Sequence, residues 1–254
     1  MREERSTVND HELAAALATR AGELLLGVRT ELADVTAGER KAEGDKRSHV
    51  YLMEALAKER PADAVLSEEA SEAEKANSAR LTADRVWIVD PLDGTREFSE
   101  LGRDDWAVHV ALWQSGELVA GAVALPAQGV TLATPDVAAP PAAPATPRIV
   151  VSRTRPPAVA LAVRDALNGT LVEMGSAGAK VASVVQGIAD VYVHAGGQYE
   201  WDSAAPVAVA RAAGLFTSRI DGSPLVYNQT DVLLPDLIVC RPELADAVLA
   251  VTTA

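Results

Sequence analysis

A mixed α/β fold is predicted for this chain by three observations. Short apolar runs that read as strands alternate with longer segments of helical periodicity, one pair of strands is joined by a tight polar turn, and no internal repeat is evident. The first helix opens at Asn9, where Glu12 completes a capping box and Leu13, Leu17, Leu24, Leu25 and Val28 form an apolar side. A second helix is expected from about Asp45 to Arg60, carrying Val50, Met53 and Leu56 and stopped by Pro61. Ala64 to Ser67 reads as a short strand, and Trp87 to Asp90 as another that should end at Pro91, which lacks an N–H. Thr95 then starts a helical stretch, Arg96 to Leu101. Trp106 to Trp113 and Leu118 to Leu125 form a hairpin through Gln114-Ser115-Gly116-Glu117.

The Ala/Pro-rich stretch from Thr134 to Pro147 cannot form regular structure, because proline recurs every few residues. It is read as a linker, dividing the chain into an N-terminal subdomain, residues 1–145, and a C-terminal one, residues 146–254. Beyond it lie a strand near Ile149 to Ser152, a helix from Pro157 to Leu167 and a strand before Gly175. An Ala/Val-rich helix from Gly178 to Gly187, a strand from Asp190 to His194, a helix opened by Asp202 and a strand from Leu237 to Cys240 follow. Gly196-Gly197 is expected to be a flexible turn leading into Trp201-Asp202.

A chain of 254 residues can bury a sizeable core as one large domain or two small ones. Its net charge of −13 argues against nucleic acid polymers and anionic membranes as partners. The charged N-terminus, the single Cys240 and the lack of a long apolar stretch point to a cytoplasmic protein. Cys240 has no disulfide partner and reads as an inert core residue.

The chemistry is concentrated in Trp87-Ile-Val-Asp-Pro-Leu-Asp-Gly-Thr95. An apolar strand ends in Asp90 and Asp93, the Leu92 carbonyl can add a third hard oxygen, and oxygen-only ligation favours Mg²⁺. Free N–H groups at Gly94 and Thr95, where a helix starts, can hold a phosphate. The bland alternative is a turn whose aspartates only cap backbone groups. The acidic balance of the chain fits a phosphate-ester enzyme once divalent cations are bound, since a metallated carboxylate site attracts phosphate.

This segment resembles the first signature of the inositol monophosphatase family of Mg²⁺-dependent, lithium-sensitive phosphatases. Trp201-Asp-Ser-Ala-Ala-Pro206, running on to Ala213-Gly214, resembles the second, and Ser67-Glu68-Glu69 resembles the family's metal-binding glutamate. Within the family, Pro91 to Phe98 and Gly175-Ser176 with Lys180 look more like the 3′-phosphoadenosine 5′-phosphate (PAP) phosphatases of the CysQ type than the inositol enzymes, which more often carry Thr-Asn-Phe after Gly-Thr.

The resemblance implies a sugar-phosphatase fold of α/β/α/β/α layers. It implies hydrolysis of the 3′-phosphate of PAP to AMP in sulfur assimilation, with two or three Mg²⁺ ions and inhibition by Li⁺. Inositol monophosphatase and fructose 1,6-bisphosphatase activities are the alternatives within the family, and a non-catalytic phosphate-ligand sensor is the alternative outside it. A sensor would not need a water-activating threonine. The partner is a small phosphate ester, and a homodimer is allowed.

By the same resemblance Glu68, Asp90 and Leu92 would hold the nucleophile-side ion, and Asp90, Asp93 and Asp202 the leaving-group ion. Thr95, paired with Asp45 at the start of the second helix, would orient and deprotonate the water, although Glu43-Gly44-Asp45-Lys46-Arg47 departs from the family wording. The other reading of Asp45 is a helix N-cap. Glu68, Asp93, Gly94, Thr95 and Asp202 would also meet the substrate. Ser176 and Gly178 would line the leaving-group side, with Lys180 on a second phosphate or a solvated face and Glu200 on a ribose hydroxyl or an exposed loop. Glu69 reads as a solvated or supporting carboxylate. The scattered His11, His49, His109 and His194 read as structural or surface residues, and Arg103-Asp104-Asp105 as a solvated loop.

Overall fold

The computed structural model of the protein describes residues 8–75 and 79–254, and among them ten strands and nine α-helices. The first helix, α1 (Asp10–Glu31), begins with the expected capping box at Asn9 and Glu12. The second, α2 (Ala37–Glu59), starts well before Asp45, at a further capping box between Thr36 and Glu39. Its first turns are too charged to show apolar periodicity. They are carried instead by the cap and by buried Arg40, whose guanidinium donates to the carbonyls of Leu32, Ala33, Val35 and Ser99. Asp45 is therefore a mid-helix residue, which corrects both its placement at a helix start and the N-cap reading.

The first sheet has the order β1 (Ala64–Ser67), β2 (Arg85–Asp93), β3 (Ala107–Gln114), β4 (Glu117–Leu125) and β5 (Val130–Ala133). β1 runs parallel to β2 and the other pairs are antiparallel. Three short helices fall between its strands: α3 (Glu72–Lys75), α4 (Ala79–Thr82) and α5 (Thr95–Ser99). The β3–β4 hairpin turns at Ser115 and Gly116, both with positive φ of 50° and 101°, as a twist-matched two-residue turn requires.

Residues 134–147 contain no helix or strand, as expected, and Ala143 N–H donates to Glu243 Oε1 at 2.8 Å. The second sheet is built from β6 (Arg148–Ser152), β7 (Thr170–Met174), β8 (Val191–Tyr199), β9 (Phe216–Ser218) and β10 (Leu233–Cys240), in the order β7-β6-β8-β10-β9. Its helices are α6 (Ala158–Ala166), α7 (Ala177–Val185), α8 (Glu200–Ala212) and α9 (Ala245–Thr252). Gly196-Gly197 is not a flexible turn. It lies inside β8, where a bulge opposite the Leu234–Asp236 segment absorbs the extra residue.

Packing produces five layers. α1 and α2 cover the outer face of the first sheet, α7 and α8 fill the space between the sheets, and α6 and α9 cover the outer face of the second. The middle layer explains two sequences that are apolar nearly all round, because Gly178 to Val185 and Ser203 to Ala210 meet protein on every side.

Candidate metal centre and active site

Side chains three apart on a regular strand point to opposite faces. Asp90 and Asp93 nevertheless converge, because the pairing of β2 with β3 shifts between Asp90↔His109 and Asp93↔Ala107. This bulge inserts one extra residue, which reverses the alternation, and Pro91 sits where no ladder N–H is needed. β2 thus continues to Asp93 instead of ending at Pro91. Ser48 Oγ on α2 donates to the freed Pro91 carbonyl at 2.6 Å. Leu92 N–H donates to Asp90 Oδ1 at 3.0 Å. Gly94 follows with φ +82°, a left-handed conformation at the start of α5 that a side chain would strain.

Asp202 arrives from α8 as its third residue, not its first, and its Oδ2 accepts from Tyr199 N–H at 2.7 Å. Asp90, Asp93 and Asp202 each place a carboxylate oxygen within 4.8 Å of the others. Glu68, Leu92, Gly94, Thr95, Arg96 and Glu97 join them around a cavity of about 250 Å³. Glu68 follows β1 and is close enough to Asp90 to share a hydrogen bond. Asp45 on α2 feels the charges of Glu69 and Glu68.

Electrostatics divide these carboxyls. Burial, then the charges of Glu68, Asp93 and Asp202, push Asp90 well above the ordinary range. Burial and then Asp93 raise Asp202 to about 7. Asp45 is raised to about 7 by burial, then by Glu69 and Glu68. Burial would raise Asp93 too, but His109, the Ser176 hydroxyl and Gly178 N–H bring it down to about 2. A converging set of hard oxygens, with two members held back from ionisation by burial and one another, fits a divalent cation.

A test without metal follows. Asp45 and Asp202 bind more protons folded than unfolded between about pH 4 and 7, so their contribution is present below the unfolded value and lost as pH rises through about 7. After allowance for screening at half-buried Asp45, chelated protein should lose about 2 kcal/mol between pH 5.5 and 8, or roughly 4–8 °C in Tm. Added Mg²⁺ should restore it. A chelated protein that melts higher at pH 8 would contradict the electrostatic assignment.

Other expected site residues lie behind the carboxylates. Ser176 caps α7, accepting from Ala179 N–H at 2.8 Å, and its Oγ donates to Asp93 Oδ2 at 2.7 Å. Ala177 and Gly178 N–H donate to Asp93 at 3.2 and 2.5 Å. Ser176 and Gly178 therefore clamp a candidate ligand.

Lys180 is 5 % exposed, and its ammonium donates to the carbonyls of Gly175 and Ser176 at 2.5 and 2.9 Å. This corrects the solvated-face reading, since Lys180 is buried and its ammonium is engaged by backbone carbonyls. Glu200 is also buried, and its carboxylate accepts from Asn228 and Gln229 N–H, each at 2.7 Å. Both oxygens anchor that loop, which corrects the exposed-loop reading.

Two residues gained importance on folding. His109 is fully buried on β3; its Nδ1 donates to the Trp201 carbonyl at 3.0 Å and its Nε2 lies 3.2 Å from Asp93 Oδ2. That second contact is electrostatic, as Nε2 is not aligned for a hydrogen bond. The sequence signal was a histidine alternating with Ala107 and Ala111 on an apolar strand. Asp105 is not a solvated loop residue. It is buried, paired with Arg103, and accepts from Gly175 N–H at 2.6 Å.

Comparison with known proteins agrees with this geometry. A model of the inositol monophosphatase family matches residues 8–138 and 145–253. A Mycobacterium tuberculosis protein named 3′-phosphoadenosine 5′-phosphate phosphatase is 53% identical over 241 residues, 90% of this chain and 88% of that protein. Its namesake from Mycobacterium leprae is 48% identical over 263 residues, 98% of this chain and 96% of its own. The crystal structure of CysQ from Bacteroides thetaiotaomicron superposes with a TM-score of 0.73 at 28% identity, covering 90% of this chain and 96% of that one.

Proposed function

The chain belongs to the inositol monophosphatase family, and from that premise we propose that it hydrolyses the 3′-phosphate of PAP to give AMP and phosphate. The observation that carries the reaction class is the convergence of Asp90, Asp93 and Asp202 beside Glu68 and Thr95. The names of the mycobacterial relatives, at 53% and 48% identity over most of the chain, support the substrate.

Glu68, Asp90, Asp93 and Asp202, with the Leu92 carbonyl, would hold Mg²⁺. Bound there, the cations supply Lewis-acid charge to the phosphoryl oxygens and acidify water. Gly94 and Thr95 N–H groups bind phosphate oxygens. Thr95 Oγ orients the attacking water, and Asp45 accepts its proton, as a carboxyl raised toward neutrality is suited to do. The new P–O bond forms as the bond to the ribose 3′-oxygen breaks, and that oxygen takes a proton from solvent to leave as the hydroxyl of AMP while Asp45 returns its own to solvent. In the same reading residues 1–145 supply every ligand but Asp202, which comes from the second subdomain, residues 146–254. Lithium sensitivity, a cytoplasmic setting and a homodimer belong to this proposal. No described helix is long and apolar enough to cross a membrane.

The test compares phosphate release from PAP, inositol 1-phosphate and fructose 1,6-bisphosphate with Mg²⁺ under identical conditions. PAP should exceed inositol 1-phosphate in kcat/KM by at least about tenfold, roughly 1.4 kcal/mol of transition-state discrimination. Because Lys180 holds backbone carbonyls, Lys180→Ala should slow both substrates without narrowing their ratio. Equal or better turnover of inositol 1-phosphate by the wild type would remove the PAP assignment while leaving a phosphatase.

A further inference from the structure

Beside the carboxylate cavity lies a second, open cleft of about 410 Å³, within the size range of small-molecule sites. Glu68 lines both, so the two are adjacent. The cleft is also walled by Glu69, Lys75, Tyr199, Trp201 and the segment Thr230-Asp231-Val232. The Tyr199 ring stacks on Trp201, with centroids 4.7 Å apart and planes 13° from parallel. Lys75 Nζ also lies over the indole, 5.2 Å from its centroid. Trp201 is thereby covered, at 4 % exposed, whereas Tyr199 is 47 % exposed.

The position of that tyrosine is unusually constrained for an exposed side chain. Its N–H donates to Asp202 Oδ2, and its backbone pairs with Leu233 in the second sheet. Stacking on Trp201 fixes the ring on its inner side. A flat aromatic face is thus held at a set position relative to a candidate metal ligand. A preordered ring loses little conformational freedom on binding, and a nucleobase is a neutral π surface that can enter a cleft lined by Glu68, Glu69 and Asp231 without adding negative charge.

Resting on the PAP reading above, we infer that Tyr199 is a specificity-determining residue whose outward ring face stacks on the nucleobase of a nucleoside 3′,5′-bisphosphate while its 3′-phosphate occupies the carboxylate cavity. Trp201 backs the platform, and the ring, not the hydroxyl, carries the contact.

The experiment measures kinetics on PAP and on ribose 3,5-bisphosphate, which lacks the base, and Mg²⁺-dependent AMP binding by calorimetry. Wild type is compared with Tyr199→Phe, Tyr199→Leu and Tyr199→Ala. Base stacking is commonly worth about tenfold or more in affinity. Tyr199→Leu and Tyr199→Ala should raise KM for PAP and Kd for AMP about tenfold, with kcat changed less and the base-free substrate unaffected. Tyr199→Phe should restore wild-type values. Leucine keeps apolar cover on Trp201, so loss in that variant is not a folding defect. Unchanged KM and Kd in the leucine variant, or equal losses on the base-free substrate, would overturn the inference while PAP turnover still stood. Ring-dependent AMP binding in a protein that fails to hydrolyse PAP would support the inference and sink the activity.

Discussion

Asp90→Asn is expected to cut phosphate release from PAP by at least about 10³-fold, equivalent to roughly 4 kcal/mol of transition-state stabilisation. Asp90 is 1 % exposed and sits among Glu68, Asp93 and Asp202. Asparagine keeps its volume and can keep the Leu92 N–H bond through Oδ1, but it cannot supply charge to a cation. The folded protein should therefore be unharmed without metal, or even stabilised, because one of several mutually repelling carboxyls is gone. Melting in chelator and with Mg²⁺ separates the effects: the variant should melt at or above the wild type in chelator and gain less from Mg²⁺. Near-normal turnover would defeat the assignment of Asp90 as a ligand. A large fall in Tm in chelator would show that Asp90 serves the fold.

The second large effect is expected at Gly178. A Cβ there would overlap His109 Nε2 and come within 3.0 Å of Asp93 Oδ2. Gly178 N–H is also one of the donors that hold Asp93. In Gly178→Ala the start of α7 must move away, and Asp93 loses part of its clamp and its low pKa. About 1–3 kcal/mol of stability should be lost to overpacking. Activity should fall roughly 100-fold, because a misplacement of about 1 Å can cost that much. Gly27→Ala is the control, since nothing lies within 4 Å of a Cβ at that α1 position. It should be neutral or stabilising by up to about 1 kcal/mol. A Gly178→Ala enzyme with wild-type activity would show that the clamp does not govern Asp93.

The sequence by itself determined the elements whose causes are local. The Asn9–Glu12 box, the Ser115-Gly116 turn and the proline-rich stretch before β6 all required only neighbouring residues. It also determined the reaction class, because Asp90, Asp93 and Thr95 are close in the chain and their chemistry is carried by residue type. Cys240 likewise proved a buried thiol, pushed up to about 12 by burial. α9, β5 and β9 were too short or too weakly patterned to be read, and α2 began earlier because its cap outweighed a charged first half.

Only the tertiary structure decided what each polar group touches. Lys180 and Glu200 carry the residue types of substrate binders, yet burial and backbone partners from Gly175, Ser176, Asn228 and Gln229 commit them to holding loops. His109 offered only its place on an apolar strand as a signal, and Asp105 offered none. Strand register sets His109 across from Asp90, and Asp105 meets Gly175 from a distant segment. The parity reversal that turns Asp93 toward Asp90 is also a property of strand pairing. Local chemistry is written in adjacent residues, whereas a side chain's charge state and partner depend on which segments are packed against it, and long-range burial alone sets that.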